Sequence, residues 1–238
     1  MNIKTSKFYH YLSRKKARLY LAAFQVLQLF VPVKYLWHKF AQSGELEHHI
    51  HDKWRQTPDF MANTSKLMSY MGYNPESFKE KIVVDVGSGS KLRSKYFKSS
   101  KIVAIDPLID DYIKNILWSD INDAYKSCSV EAEEFVSELK NTADFVMCIN
   151  VLDHTYNPQK VLENIYGYLN DNGEFLLSLD LNNTIPNPQH QVAITKEKLE
   201  RWLNEVRFNI KRMEKYEKSN QKKAYGSTGV AMNYILVK

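Results

Sequence analysis

Cysteine is scarce in this chain, with two among 238 residues, Cys128 and Cys148. Two thiols cannot build a disulfide framework, so stability must come from a packed core, and a reducing cytoplasm fits best. Glycine is sparse too, at eight residues, and no Gly-Lys pair occurs anywhere. That excludes a phosphate-binding loop of the Gly-Lys-Ser/Thr type, whose lysine and hydroxyl serve phosphate and magnesium. The most apolar stretch, "LYLAAFQVLQLFVPVKYLW" over 19–37, is interrupted by Gln25, Gln28, Pro32 and Lys34. A clean membrane span needs about 20 predominantly apolar residues, so none is expected there. No zinc-finger spacing and no aromatic-glycine RNA signature appear, so no specific nucleic acid partner is expected. Acid is missing from the first eighteen residues, which carry Lys4, Lys7, Arg14, Lys15, Lys16 and Arg18.

What is present suits a folded domain. Apolar residues make up 44 % of the chain and aromatics 13 %, and the net charge is +6. A core is affordable, and a basic surface permits an anionic partner without demanding one. The apolar stretch at 19–37 reads as a helix, either a lid packed on the main domain or an in-plane helix whose basic flank attracts anionic lipid. Residues 14–37 are therefore the candidate membrane-surface segment. "SGELEHHIHDKWRQ" carries His48, His49 and His51. Helical metal pairs need a spacing of three or four on one face. These three do not share a face, so a polar helix near a substrate mouth is expected and no metal site.

From residue 82 onward, apolar runs alternate with amphipathic stretches. Strands are expected at 82–86, 101–107, 143–150 and 174–181, with a further one near "CSVEAEEF". A short helix fits 91–98. "NPQKVLENIYGYLN" reads as a helix with Pro158 in its first turn and Val161, Leu162, Ile165 and Leu169 on one face. "DNG" at 171–173 reads as a turn. Thr195 can cap a helix buried through Leu199, Trp202, Leu203 and Val206. The chain closes on an expected antiparallel hairpin around "YGSTG". Strand–helix alternation implies an α/β fold, a parallel sheet with helices on both faces. Ligands of such sheets bind beyond the carboxyl ends of the strands. Asp85, Asp106, Glu131 and Asn150 all fall at expected strand ends and so share one sheet edge.

The chemistry centres on "KIVVDVGSGSKLR", 81–93. Gly87 and Gly89 form a tight turn at a strand tip. A dinucleotide turn wants a third glycine three residues after the second, and that position is Leu92. Asp85, two residues before the first glycine, would repel a pyrophosphate and suits a cationic amine. Asp106 follows 106 − 85 = 21 residues later, one strand–helix–strand step on, where a carboxylate can accept both hydroxyls of a ribose. An amine and a ribose together describe S-adenosyl-L-methionine.

Residues 81–182 resemble the class I S-adenosylmethionine-dependent methyltransferases. "VVDVGSGS" matches the first motif of that family and "VAIDPL" the acidic second. "SVEAEEF" looks like the segment that flanks adenine. "ADFVMCINVLDHTYNPQKVLENIYGYLNDNGEFLLSLDL" looks like the fourth strand, helix and fifth strand. The resemblance implies a Rossmann-like methyltransferase sheet ending in an antiparallel hairpin, with 79–238 as the methyltransferase domain and 1–78 as a helical extension. It also implies cofactor contacts. Asp85 would approach the methionine amine, and Gly87, Ser88 and Gly89 would let backbone come close. Asp106 with Pro107 would hold the ribose diol, Glu131 and Ala132 the adenine, and Asn150 would face the methionine moiety and the substrate. Where the family commonly has a third glycine, this chain has Lys91.

A hydroxyl nucleophile gains from a histidine base. His154, after the fourth strand, and His190, after the fifth, are the candidates, with Asp153 and Tyr156 as neighbours able to orient a substrate. The longer string "FKEKIVVDVGSGS…VAIDPLIDDY…NVLDHTYNP" is similar to bacterial methyltransferases associated with surface polysaccharide. The resemblance implies a sugar hydroxyl, or another small or lipid-linked acceptor, and a cytoplasmic protein peripheral to the inner face of the membrane. The rival reading is an inactive methyltransferase-like scaffold in a membrane biosynthetic complex. No oligomeric state is legible.

Overall fold

The computed structural model describes residues 22–181, 190, 192–216 and 231–238. Seven strands form one sheet in the order β3-β2-β1-β4-β5-β7-β6. They are β1 (Ile82–Val86), β2 (Lys101–Ile105), β3 (Lys126–Cys128), β4 (Ala143–Ile149), β5 (Leu169–Asp180), β6 (Asn209–Tyr216) and β7 (Ala231–Val237). The first five pair in parallel, and β7 runs antiparallel to both β5 and β6. This is the Rossmann-like methyltransferase arrangement, with its strand order reversing between β1 and β4. Open α/β sheets bind ligands at that reversal. Register aligns the edge: Val86 sits opposite Ile105 on one side and Cys148 on the other. Asp106 and Asn150 thus lie just beyond the same sheet edge as Asp85.

Period-two alternation sorts the core. Val84, Val86, Val146 and Cys148 face α5 (Pro158–Tyr168) and α6 (Lys196–Val206) through Leu162, Ile165, Leu199 and Leu203. Val83, Phe145 and Met147 face the opposite side, against Leu67, Met68 and Met71 at the end of α3 (Pro58–Tyr70). The Thr195 cap expected from the sequence forms, and Asn157 caps the helix that Pro158 opens. Asn157 accepts from the Lys160 N–H before Pro158, and Thr195 accepts from the Lys198 N–H.

Several boundaries differ from the sequence expectation. Only a 3-10 turn, Arg93–Tyr96, stands where 91–98 suggested a helix. The third strand lies at Lys126–Cys128, before the acidic run, leaving Glu131 in the loop beyond it. Residues 171–173 belong to β5, which is kinked where Ala143 and Phe145 slip register. Gly173 permits this, because a Cβ there would lie 2.6 Å from the Ala143 carbonyl oxygen. Between β2 and β3, where no element was expected, the chain forms α4 (Ile109–Asn115). The terminal strands pair as a hairpin, and its "YGSTG" turn lies outside the described residues.

Before the sheet, residues 22–28 are helical. They are followed by α1 (Val33–Leu36), a π-helical stretch Trp37–Gln42, and α2 (Ser43–His51). Phe24, Leu36 and Trp37 are buried, whereas Leu29 and Phe30 are 78 % and 80 % exposed. One side of this segment packs on the domain and the other is bare. Among the described residues, no helix is long and apolar enough to cross a membrane.

Candidate active site

A cavity of about 330 Å³ opens at the reversal point, within the range of roughly 300–1,000 Å³ typical of small-molecule sites. Its floor is the β1 turn. Gly87 and Gly89 adopt φ of +67° and +64°, a conformation that favours glycine. At Gly87 a Cβ would also lie 2.3 Å from both γ-methyls of Val151. Gly87→Ala therefore costs about 2 kcal/mol or more from conformation and clash together. Chemical denaturation would reveal it, and an unchanged midpoint would refute this account of the turn.

Asp85 and Asp106 are both buried, at 4 % and 7 % exposure. Asp85 accepts from the Ser94 N–H (3.2 Å). Asp106 accepts from the Gly89 N–H at one oxygen (3.0 Å) and from the Leu108 N–H at the other (2.9 Å). Burial pushes each carboxyl up to about 6, against the pull of these backbone donors. Two such acids facing one cavity fit a ligand that carries a cationic amine and hydroxyl donors. Asn150, at the tip of β4, holds φ +55°, which asparagine tolerates better than most residues. Lys91 turns away from the cavity and faces Asp120 at 3.8 Å.

Nine of the candidate cofactor-binding and catalytic residues read from the sequence line this one cavity: Asp85, Gly87, Ser88, Gly89, Asp106, Pro107, Ala132, Asn150 and His154. Glu131 and His190 stand outside its lining. Glu131 is bound by the N-terminal segment, through Lys34 Nζ (2.8 Å) and His38 Nε2 (2.9 Å), and by the Tyr156 hydroxyl, which donates to it at 2.6 Å. His190 places Nδ1 2.9 Å from Asp153 Oδ2. Its ring centroid lies 4.3 Å from that of His154. Burial alone would lower the His190 pKa, but the Asp153 carboxylate outweighs it and the net direction is upward.

Other lining residues had no individual role assigned from the sequence. His49 on α2 is buried and stacks on Tyr112 at 4.7 Å. Its Nδ1 accepts the Ser90 N–H (3.1 Å), so the proton of the neutral ring sits on Nε2 and points at Glu45 Oε1 (3.0 Å). Burial accordingly lowers its pKa. Besides the expected polar helix, the i, i+4 spacing of Glu45 and His49 was a hint to this pair. Arg93 packs its guanidinium 4.1 Å from the Phe60 ring centre and donates to Thr64. Glu133 accepts the Tyr156 and Asn157 N–H groups, bracing the loop after β4, while its Oε2 has no hydrogen-bond partner among the described residues. Trp37 donates its indole N–H to the His154 carbonyl. The polar helix expected beside a substrate mouth is α2, whose Glu45, His48 and His49 form a wall of the cavity.

Comparisons with known proteins agree with this architecture. Three solved structures of low identity share the fold. A Burkholderia thailandensis 1,6-didemethyltoxoflavin-N1-methyltransferase, solved with 1,6-didemethyltoxoflavin and S-adenosylhomocysteine, is 16 % identical with a TM-score of 0.62, covering 87 % of this chain and 90 % of its own. A Leishmania major SAM-dependent methyltransferase is 12 % identical with a TM-score of 0.61, covering 87 % and 85 %. A Bacillus halodurans protein assigned as a methyltransferase is 15 % identical with a TM-score of 0.57, covering 74 % and 99 %. No curated protein sequence matches the chain. A family model described as a methyltransferase domain matches residues 46–220, well over half of the 238. On that match the chain belongs to the methyltransferase domain family.

Proposed function

We propose that the protein transfers a methyl group from S-adenosyl-L-methionine to a hydroxyl of a small acceptor, a sugar or lipid-linked glycan being the leading class. The observation that carries this reading is the pair of buried acids, Asp85 and Asp106, at adjacent strand ends around one glycine turn. The cofactor is S-adenosyl-L-methionine, which supplies an electrophilic methyl group on a sulfonium. Asp85 receives the amine, with Gly87, Ser88 and Gly89 as a close backbone floor. Asp106 and Pro107 hold the ribose side. Ala132 and Glu131 serve the adenine, and Asn150 faces the methionine moiety. His154 and His190 activate the acceptor hydroxyl, held near-attack by the cavity wall.

The N-terminal segment supports a peripheral location on the inner face of the membrane. Its outer side exposes Val26, Leu29, Phe30 and Tyr35, and six cations without an acid precede it within the first eighteen residues. Together these suit an anionic lipid surface. Residues 1–78 are the extension in this reading and 79–238 the catalytic domain. The scaffold alternative rests on Lys91 and on the basic termini, and Lys91 faces Asp120 rather than the cavity.

Mass analysis of small molecules carried through purification tests the donor, with S-adenosylhomocysteine or S-adenosylmethionine expected. A methyl-transfer screen over nucleotide sugars and lipid-linked glycans tests the acceptor. A protein that binds neither adenosyl compound, even when soaked with both, would end this reading.

A further inference from the structure

Asp153, His154 and His190 meet beside the cavity. Asp153 follows the tip of β4, and His190 arrives from the chain beyond β5. One oxygen or nitrogen from each lies within 4.8 Å of the others. Asp153 is 4 % exposed, and its Oδ1 has no hydrogen-bond partner among the described residues. A buried carboxylate oxygen left that way is costly and asks for a ligand. His154 is already presented to one. Its Nδ1 faces Glu45 Oε2 at 3.8 Å, while Nε2 points to Asp153 Oδ2 at 4.0 Å. A ligating histidine commonly turns its second nitrogen to a carboxylate in this way.

From this geometry we infer a divalent cation site built from Asp153, His154 Nε2 and His190 Nδ1. Metal–ligand bonds of about 2.0–2.2 Å put neighbouring donors roughly 3–4 Å apart. His190 Nδ1 and His154 Nε2 lie 2.9 Å and 4.0 Å from Asp153 Oδ2, so this carboxylate, whose other oxygen Oδ1 is the unfilled one, needs little adjustment to ligate beside them. Two imidazoles with one carboxylate select a transition dication over magnesium or calcium, which prefer all-oxygen shells. Three protein ligands leave positions open. The two imidazoles are about one-quarter exposed, so those positions admit water or the oxygens of an acceptor. The inference rests on the proposed methyl transfer and names how the two histidines act: through a bound cation that lowers the pKa of a coordinated hydroxyl, whose proton leaves to solvent water while its oxygen takes the methyl group and the sulfonium becomes a neutral thioether. Asp153 and His154 are chain neighbours, and tertiary contact brings His190 to them.

Titration of chelator-stripped full-length protein with Zn²⁺ or Co²⁺ tests it without cofactor or acceptor. One equivalent should bind, with visible Co²⁺ absorption of a low-coordinate site. His190→Ala and Asp153→Asn should each weaken binding by about 100-fold or more, with circular dichroism checking the fold. Because Asp153 is buried, His190→Ala is the safer variant. His51→Ala, outside the cluster, should bind as wild type. No binding, binding that survives His190→Ala, or binding lost only in His51→Ala overturns the site. Cofactor affinity is read separately on the stripped protein. Cofactor without metal removes only this inference, whereas metal without cofactor removes the methyl-transfer reading and leaves the site standing.

Discussion

Asp106→Ala should weaken S-adenosylmethionine binding by about 100-fold, read by calorimetry. The carboxylate is expected to accept from the ribose hydroxyls, and charge-assisted hydrogen bonds contribute roughly 1.5–3 kcal/mol each. It also holds the turn itself, through the Gly89 and Leu108 N–H groups. Both oxygens accept from backbone donors, so Asp106→Asn would press an amide NH₂ against one of them and should not rescue. A variant that binds within threefold of wild type would remove Asp106 from the site.

The same acids set a pH dependence. With folded pKa values of about 6 against about 3.9 in an unfolded chain, the folded state holds these protons more tightly. Stability from this pair is therefore fully present below about pH 4 and is lost as pH rises to about 6. Cofactor binding needs the ionised forms and moves the opposite way. Affinity in the wild type should fall about tenfold per carboxylate between pH 7 and pH 5. In Asp106→Ala that slope should be halved.

Phe145→Ala should lower unfolding free energy by about 3–5 kcal/mol, the range for emptying a buried aromatic site. Phe145 is fully buried on the central strand β4. Phe78 stacks on it at 4.5 Å, and Tyr73 and Phe97 approach edge-on at 5.0 and 5.2 Å. Three rings of such size collapse poorly around a void. The melting temperature should fall by roughly 6–20 °C at about 2–4 °C per kcal/mol. Below the transition, the pairing of Val83 with Phe145 should persist and cofactor should still bind. A loss under 1 kcal/mol would mean that the aromatic cluster is not the keystone of this face.

The N-terminal segment links the proposed surface to the proposed site. Trp37 braces the carbonyl of His154, and Lys34 and His38 occupy Glu131. Whatever moves this segment bears on both residues proposed to serve the adenine and the acceptor, Glu131 and His154.

The alternation of apolar runs, the acids closing them and the paired glycines were readable because they are local. Period two, period 3.6 and a left-handed turn each leave a mark within ten residues. From those marks follow the parallel sheet, its ligand-binding edge and the shared position of Asp85, Asp106 and Asn150. The weakly marked pieces were misplaced for the same reason: β3 is three residues long, and β5 absorbs an apparent turn by bulging. What only tertiary structure decided are meetings across distance. His49 reaches Ser90 over 41 residues, Trp37 reaches His154 over 117, and His190 arrives at Asp153. Such contacts depend on how helices and loops pack over the sheet. Packing leaves no periodic trace in a single chain, so the cap over the site and the three-residue donor cluster became visible only once the chain was folded.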